Sequence, residues 1–431
     1  MKTITDIFKR RNIFYGWYLV PVVGFINTLT GVPIFHGMGL WFVALESAFG
    51  WNRTQLALAF SLTRIEGGIL GPVEGYLADR IGTRRLVFIG LTIMGIGFIL
   101  LGQVRNLWMF YLAFLIMAMG QGLGGWLPLN ALITNWFIKN RTTAMGWANS
   151  IGRFGGLIFI PALAWGVDPN ADNLGFRATA TIIGVFSILI AFPISRAIRN
   201  RPEELGLYPD GISSKDGPTN SSSKHVDPID SNYDTVSDFT VKEALHTRAF
   251  WFISIGHGLT AMLIIGMMAH LVPMLTDRGF SIQTAGFVVT AYTATSMIFQ
   301  VIGGYLGDRL PKRILLFCFT SIQAISVFYL ILSPPTISVA YFFGIVFGLG
   351  FGGRAPLSVS IRGEYFGRRN FGTIMGLSQI PMNILLFVAP IMAGIMYDSQ
   401  GTYNLAFAIL AILNFTGGVF FLLARKPIRS I

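Results

Sequence analysis

The sequence is poor in charge, nearly empty of cysteine and without a nucleotide-binding loop. Charged residues make up 12% of its 431 positions, about half the roughly 25% usual in a soluble domain. Cys318 stands alone, which excludes an intramolecular disulfide framework and a cysteine-held metal cluster and leaves the compartment unread. No Gly-x-x-x-x-Gly-Lys-Ser/Thr loop occurs, so there is no cradle for ATP phosphates to drive a pump. No metal or nucleophile cluster stands out, which argues against a membrane-embedded enzyme. What the chain has instead is apolar bulk, 53% hydrophobic residues and a mean hydropathy of +0.61. A soluble protein of this size needs far more polar surface to cover its core. Soluble enzyme, secreted scaffold and disordered protein are therefore set aside.

Twelve apolar stretches reach the ~20 residues needed to cross a ~30 Å hydrocarbon core. Six run at about 17–45, 54–78, 86–104, 107–137, 143–167 and 176–196, and six more at about 248–275, 282–307, 314–333, 337–363, 371–397 and 403–424. They are expected to be helices, because lipid satisfies no open backbone. Residues 197–247 differ, being rich in Ser, Asp, Pro, Asn and Lys around Ser221-Ser222-Ser223. Such a segment buries too little apolar area to offset its ordering entropy and reads as a flexible linker. The expected organisation is a six-helix half over 1–196, a linker over 197–247 and a six-helix half over 248–431.

The net charge of +12 does not point to nucleic acid, because the basic residues fall in short runs between apolar stretches. Assigning both termini and the even-numbered loops to one side gives that side 25 of the 32 basic residues. The other side holds Arg53, Arg105, Arg177 and Arg278. The positive-inside rule then places both termini and the linker in the cytoplasm, with the chain spanning the cytoplasmic membrane.

The sequence repeats itself. Gly75-Tyr76-Leu77-Ala78-Asp79-Arg80 returns as Gly304-Tyr305-Leu306-Gly307-Asp308-Arg309, and Met145-Gly146 returns as Met375-Gly376. Gly120-x-Gly122-x-Gly124-Gly125-x-x-Pro128-Leu129 returns as Gly348-x-Gly350-x-Gly352-Gly353-x-x-Pro356-Leu357. These glycine runs lie inside apolar stretches rather than after a strand, so they are not dinucleotide fingerprints. Two equivalent halves with a site at their interface are the mark of secondary transporters.

On these motifs the chain resembles the major facilitator superfamily. Gly75-x-x-x-Asp79-Arg80-x-Gly82-x-Arg84-Arg85 is similar to its loop 2–3 signature, with a degenerate copy over Gly304–Arg313. The resemblance implies an all-α membrane protein of 12 transmembrane helices in two pseudo-symmetric halves. It also implies that Gly75, Asp79, Arg80, Gly82, Arg84 and Arg85, with Asp308 and Arg309, latch the halves in one state of an alternating-access cycle. The plainer reading of Arg84 and Arg85 is that they only orient the chain. More narrowly, Trp136-Phe137-x-Lys139-Asn140-Arg141-x-x-Ala144-x-Gly146-x-Ala148 with Gly155 resembles the motif entering the fifth span of monocarboxylate transporters. Tyr15-Gly16-Trp17-Tyr18 resembles the bacterial oxalate–formate antiporter-like branch of that group.

Charges inside spans carry the functional reading, since each is costly to insert without a partner or a wet cavity. Arg354 follows the glycine run of the tenth span, and the repeat pairs it with Trp126 of the fourth. The resemblance implies that the first, fourth, seventh and tenth helices line the cavity. Arg354 is then either a fork for a substrate carboxylate or a guanidinium folded onto exposed carbonyls. Arg64 at mid-span, Arg153 with Asn149 one turn before it, and the apolar wall of Trp126 complete the candidate substrate set. Glu66 is a candidate proton carrier, with a fixed ion-pair role as the alternative. His36, His257 and His270 are candidate relays near neutral pH. Glu74, one turn before Ala78, is grouped with the latch.

The expected function is alternating-access transport of a small organic anion, a monocarboxylate carried with a proton, by a monomer in the bilayer without cofactor, metal or nucleic acid. Anion exchange and drug or metabolite export are the alternatives within transport, and a ligand sensor is the alternative outside it.

Overall fold

The computed structural model describes residues 14–51, 53–167, 174–211, 238–280 and 282–428. The first half opens with α1 (Tyr15–Gly31), a π turn at Val32–His36 and α2 (Met38–Phe49). It continues through α3 (Arg53–Ile81), α4 (Thr83–Gly102), α5 (Leu107–Gly124), α6 (Trp126–Trp136), α7 (Arg141–Val167) and α8 (Gly175–Ala197). After the short α9 (Val241–His246), the second half consists of α10 (Arg248–Asp277), α11 (Ile282–Gly307), α12 (Lys312–Leu332), α13 (Ile337–Phe366), α14 (Phe371–Gln400) and α15 (Asn404–Leu423). The twelve spans of the sequence are therefore present, the first as α1 with α2 and the fourth as α5 with α6.

Among the described residues, eleven of these spans are long and apolar enough to cross a membrane. The remaining helix, α3, has ample length at 29 residues but places Arg64, Glu66 and Glu74 within it. Large apolar side chains are also exposed on the outer faces, with Leu189 at 70% and Leu332 at 80%. Helices apolar on both faces fit a lipid surround rather than water. One buried apolar cluster is drawn from residues 15–198 together with Val359, Phe371 and Met375. Two others are drawn wholly from residues 239–424.

Two helix pairs make the most extensive contacts between the halves, α3 with α14 and α7 with α11. Small residues set their approach. A Cβ on Gly75 would lie 2.1 Å from the Gly372 carbonyl oxygen, and one on Gly146 would lie 2.3 Å from that of Gln300. The approach is still close at Gly71, whose carbonyl oxygen would lie 2.3 Å from a Cβ on Gly376, and relaxes by Gly67, where a Cβ would meet nothing nearer than 3.9 Å. The helices thus close at the end bearing Asp79 and diverge toward the other.

The segment expected as a flexible linker is partly tied down. The Asp210 carboxylate accepts hydrogen bonds from the backbone N–H groups of Ile138 (2.8 Å), Lys139 (2.7 Å) and Asn140 (3.1 Å). Asp238 does the equivalent for Arg368 (2.9 Å) and Arg369 (3.3 Å). These are the matching turns of the two halves, before α7 and α14. Composition did not reveal this order, because a carboxylate on a turn's orphan amides stabilises a segment with no apolar core. Residues 212–237 lie outside the described residues.

Candidate functional site

A cavity of about 510 Å³ lies between the halves. Arg354, Arg153, Trp126, Asn149 and His257, all singled out from the sequence, share its wall. Arg354 comes from the middle of α13 and is 3% exposed. Its Nη1 donates to Thr260 Oγ1 (2.8 Å) and its Nη2 to the Thr260 carbonyl oxygen (3.2 Å), while Nε is buried without a hydrogen-bond partner. The guanidinium therefore leans on a hydroxyl and a carbonyl of α10 and keeps one buried donor unspent.

Arg153 reaches from α7 to the other half. Its Nη1 donates to Ser296 Oγ on α11 (2.6 Å), and its guanidinium carbon lies 4.6 Å from the centre of the Phe351 ring on α13. Neither arginine forms an ion pair with a carboxylate among the described residues. Isolated buried charge is expensive, so a cavity wall holding two such cations is complementary to an anion.

Glu74 requires a correction. Its place near Ala78 grouped it with the latch, but it is 6% exposed and lines the cavity. Gly122 makes the room: a Cβ there would sit 1.9 Å from Glu74 Oε1. The signal was the helical stripe of Gly67, Gly71 and Glu74 on one face of α3.

Arg362 was missed as well. Counted among the basic residues flanking the tenth span, it is in fact 1% exposed within α13. Its Nε donates to Ser378 Oγ (2.8 Å), its Nη1 to the Ser358 carbonyl and its Nη2 to His257 Nδ1 (3.3 Å). The 354–358–362 spacing, one residue per turn on one helix face, was the available clue.

His270 is not part of the cavity wall; its Nδ1 lies 3.3 Å from the Tyr403 hydroxyl, and the rings pack 5.2 Å apart. The side chains of His36, Arg64 and Glu66 lie outside the described residues.

At the closed end, the latch candidates divide. Asp79 accepts from Gly372 N (2.9 Å), Thr373 N (2.8 Å) and Thr373 Oγ1 (2.8 Å), capping α14 of the opposite half. Asp308 accepts from Thr142 N (2.8 Å) and Thr143 N (2.7 Å), capping α7. A carboxylate at a helix N-terminus is favoured by the orphan amides and the helix dipole. Arg80 and Arg309 do not cross: each folds onto a tyrosine of its own helix, Tyr76 and Tyr305. Gly82, with φ +84°, turns the chain beside Asn200, whose Oδ1 accepts from Arg84 N (2.9 Å), and Arg85 is exposed.

Comparison with known proteins agrees with this geometry. The family pattern described as Major Facilitator Superfamily matches residues 23–281 and 250–430. Bovine monocarboxylate transporter 13 is 22% identical over 398 residues, covering 92% of this chain and 86% of the relative. A probable hexose phosphate transport protein of Chlamydia trachomatis is 25% identical over 287 residues, covering 62% of this chain and 59% of the relative. Among solved structures, the fold is similar to that of FucP from E. coli in its outward conformation, with a TM-score of 0.70 at 15% identity, covering 95% of this chain and 99% of the other.

Proposed function

The chain belongs to the major facilitator superfamily, and from that premise we propose that it is a secondary transporter of a small organic anion, a monocarboxylate carried with a proton. It is a multi-pass membrane transporter and not an enzyme. The observation that carries the anion reading is Arg354, buried at the cavity wall with its Nε unpartnered and no counter-carboxylate among the described residues. A carboxylate there gains a charge-assisted hydrogen bond that a neutral sugar cannot match. Arg153, from the opposite half, adds positive potential across the same space.

In this reading the two halves, 1–196 and 248–431, rock about the cavity, and the pairs closed by Asp79 and Asp308 form the cytoplasmic gate. The basic-residue count supports that orientation, with both termini cytoplasmic and the present state facing outward. Glu74 joins Glu66 as a candidate proton carrier, since a carboxylate in a dry wall facing a bound anion is the natural place for the coupled proton. The carrier acts as a monomer.

The test is uptake of labelled lactate into proteoliposomes with and without an inward proton gradient. Saturable uptake stimulated by the gradient supports the proposal. Trans-stimulated, gradient-indifferent flux would replace symport by exchange. Uptake of a hexose phosphate but not of lactate would overturn the monocarboxylate assignment.

A further inference from the structure

His257 was a candidate proton relay, but its surroundings suit a different task. The imidazole is buried in the cavity wall, and its Nδ1 faces Arg362 Nη2 at 3.3 Å. A guanidinium only donates, so Nδ1 must accept. That leaves the ring proton on Nε2 and the imidazole neutral. A proton added at Nδ1 would set N–H against N–H beside a fixed positive charge. Arg362 is itself held in place by Ser378 Oγ and the Ser358 carbonyl, so it cannot easily turn away.

The neighbouring contacts locate this donor relative to Arg354. Thr260 Oγ1 accepts from Arg354 and donates to the His257 carbonyl oxygen (3.0 Å). His257 and Thr260 are three residues apart, a rise of ~4.5 Å along α10. An anion whose carboxylate meets the Arg354 guanidinium at the cavity wall therefore has a second, neutral donor within the length of a small acid. Among the described residues, the charged groups around this part of the wall are Arg354 and Arg362 of α13, Glu74 of α3 and Arg153 of α7.

We propose that His257 is a specificity-determining residue, a neutral Nε2–H donor that reads a hydroxyl or carbonyl oxygen a few bonds from the substrate carboxylate, and that Arg362 is its positioning residue. The preferred substrates are then hydroxy or oxo monocarboxylates rather than plain fatty acids. This rests on the organic-anion reading above and names the substrate class of that same cavity.

The experiment compares matched acids as competitors for the purified full-length protein: propionate with lactate, and butyrate with 3-hydroxybutyrate. The oxygenated member of at least one pair should bind about 5- to 10-fold tighter, the size of one directed hydrogen bond. His257→Phe should abolish that preference, bringing the two members of each pair within about twofold of one another. Arg362→Met should make the preference depend on pH between about 5.5 and 7.5, as the freed Nδ1 becomes protonatable, whereas the parent protein stays flat. Nitrogen NMR of histidine-labelled protein, with His257→Phe used for assignment, reads the tautomer directly, so the positioning role remains testable even where Arg362→Met fails to fold. Ratios within twofold for both pairs, a preference that survives His257→Phe, or an Nδ1–H tautomer would overturn the proposal. Binding of neither member of either pair would instead overturn the organic-anion reading on which it rests.

Discussion

Gly120–Leu129 and Gly348–Leu357 share one pattern of glycines and a Pro-Leu, yet the first is broken at Gly125 between α5 and α6 while the second runs unbroken through α13. In the first copy, Gln121 donates its side-chain amide to the Thr30 carbonyl of α1 (2.9 Å), and Gly125 folds back over Gln121, where a Cβ would lie 2.4 Å from the carbonyl oxygen. In the second copy, position 349 is Leu, and the Phe319 ring packs against Gly353, 2.4 Å from where a Cβ would be. Trp126 consequently starts a new helix half-buried in the cavity wall, and Arg354 sits buried in mid-helix. A duplicated scaffold has thus become asymmetric at this matching pair of positions, an indole in one half and a guanidinium in the other. Glycine spacing fixes how closely the helices approach, and the residues beside the glycines decide what the approach encloses.

The sharpest way to break this comparison is to remove the cation. Arg354→Gln should weaken anion binding at least about 100-fold, roughly 3 kcal/mol, as expected when one partner of a buried charge pair is lost. Trp126→Phe, at the matching position, should cost only a few-fold. Competition binding on protein that retains its helical circular dichroism measures both, and equal losses at the two positions would remove the asymmetry argued here.

The next largest effect belongs to the gate. Gly75→Leu cannot be accommodated against the Gly372 carbonyl, whereas the equivalent Gly304 has 2.7 Å to the Thr142 carbonyl. Gly75→Leu should drive the population away from the present closed end more strongly than Gly304→Leu, read by labelling of a cysteine placed in α14 near Thr373. Smaller again is the loss of the cross-half caps. Asp79→Asn, which weakens three hydrogen bonds, should shift the same equilibrium by about 1–3 kcal/mol, and Asp308→Asn, with two, by less. Arg80→Gln should move it least, because Arg80 folds onto Tyr76 and, among the described residues, makes no contact with the other half. A large Arg80 effect would mean that the arginine engages in another state of the cycle.

Much of this was legible in the chain. Span number and the two-half architecture followed from apolar length and the repeat, since backbone groups in lipid admit few solutions. Arg354, Arg153, Asn149 and His257 could be selected because polar residues in apolar helices need a reason, and Trp126 because the repeat pairs it with Arg354. Glu74 and Arg362 were misplaced because both sit near the ends of their helices, where sequence cannot tell a flanking charge from one turned inward. His270 was selected by the same logic as His257, but depth along α10 separates them: one meets Tyr403, the other the cavity.

By itself, then, the sequence determined that this protein crosses a membrane in two similar halves and that a few buried cations had to be accommodated within them. Hydrophobic length and repetition are properties of the chain, and no packing is needed to read them. Only the tertiary structure decided which cations share a cavity, that Arg362 faces His257 rather than water, and that Asp79 and Asp308 bind the amides of the opposite half. Those are contacts between residues 105 to 294 positions apart, and a hydrogen bond depends on a distance and an angle that the order of residues does not contain.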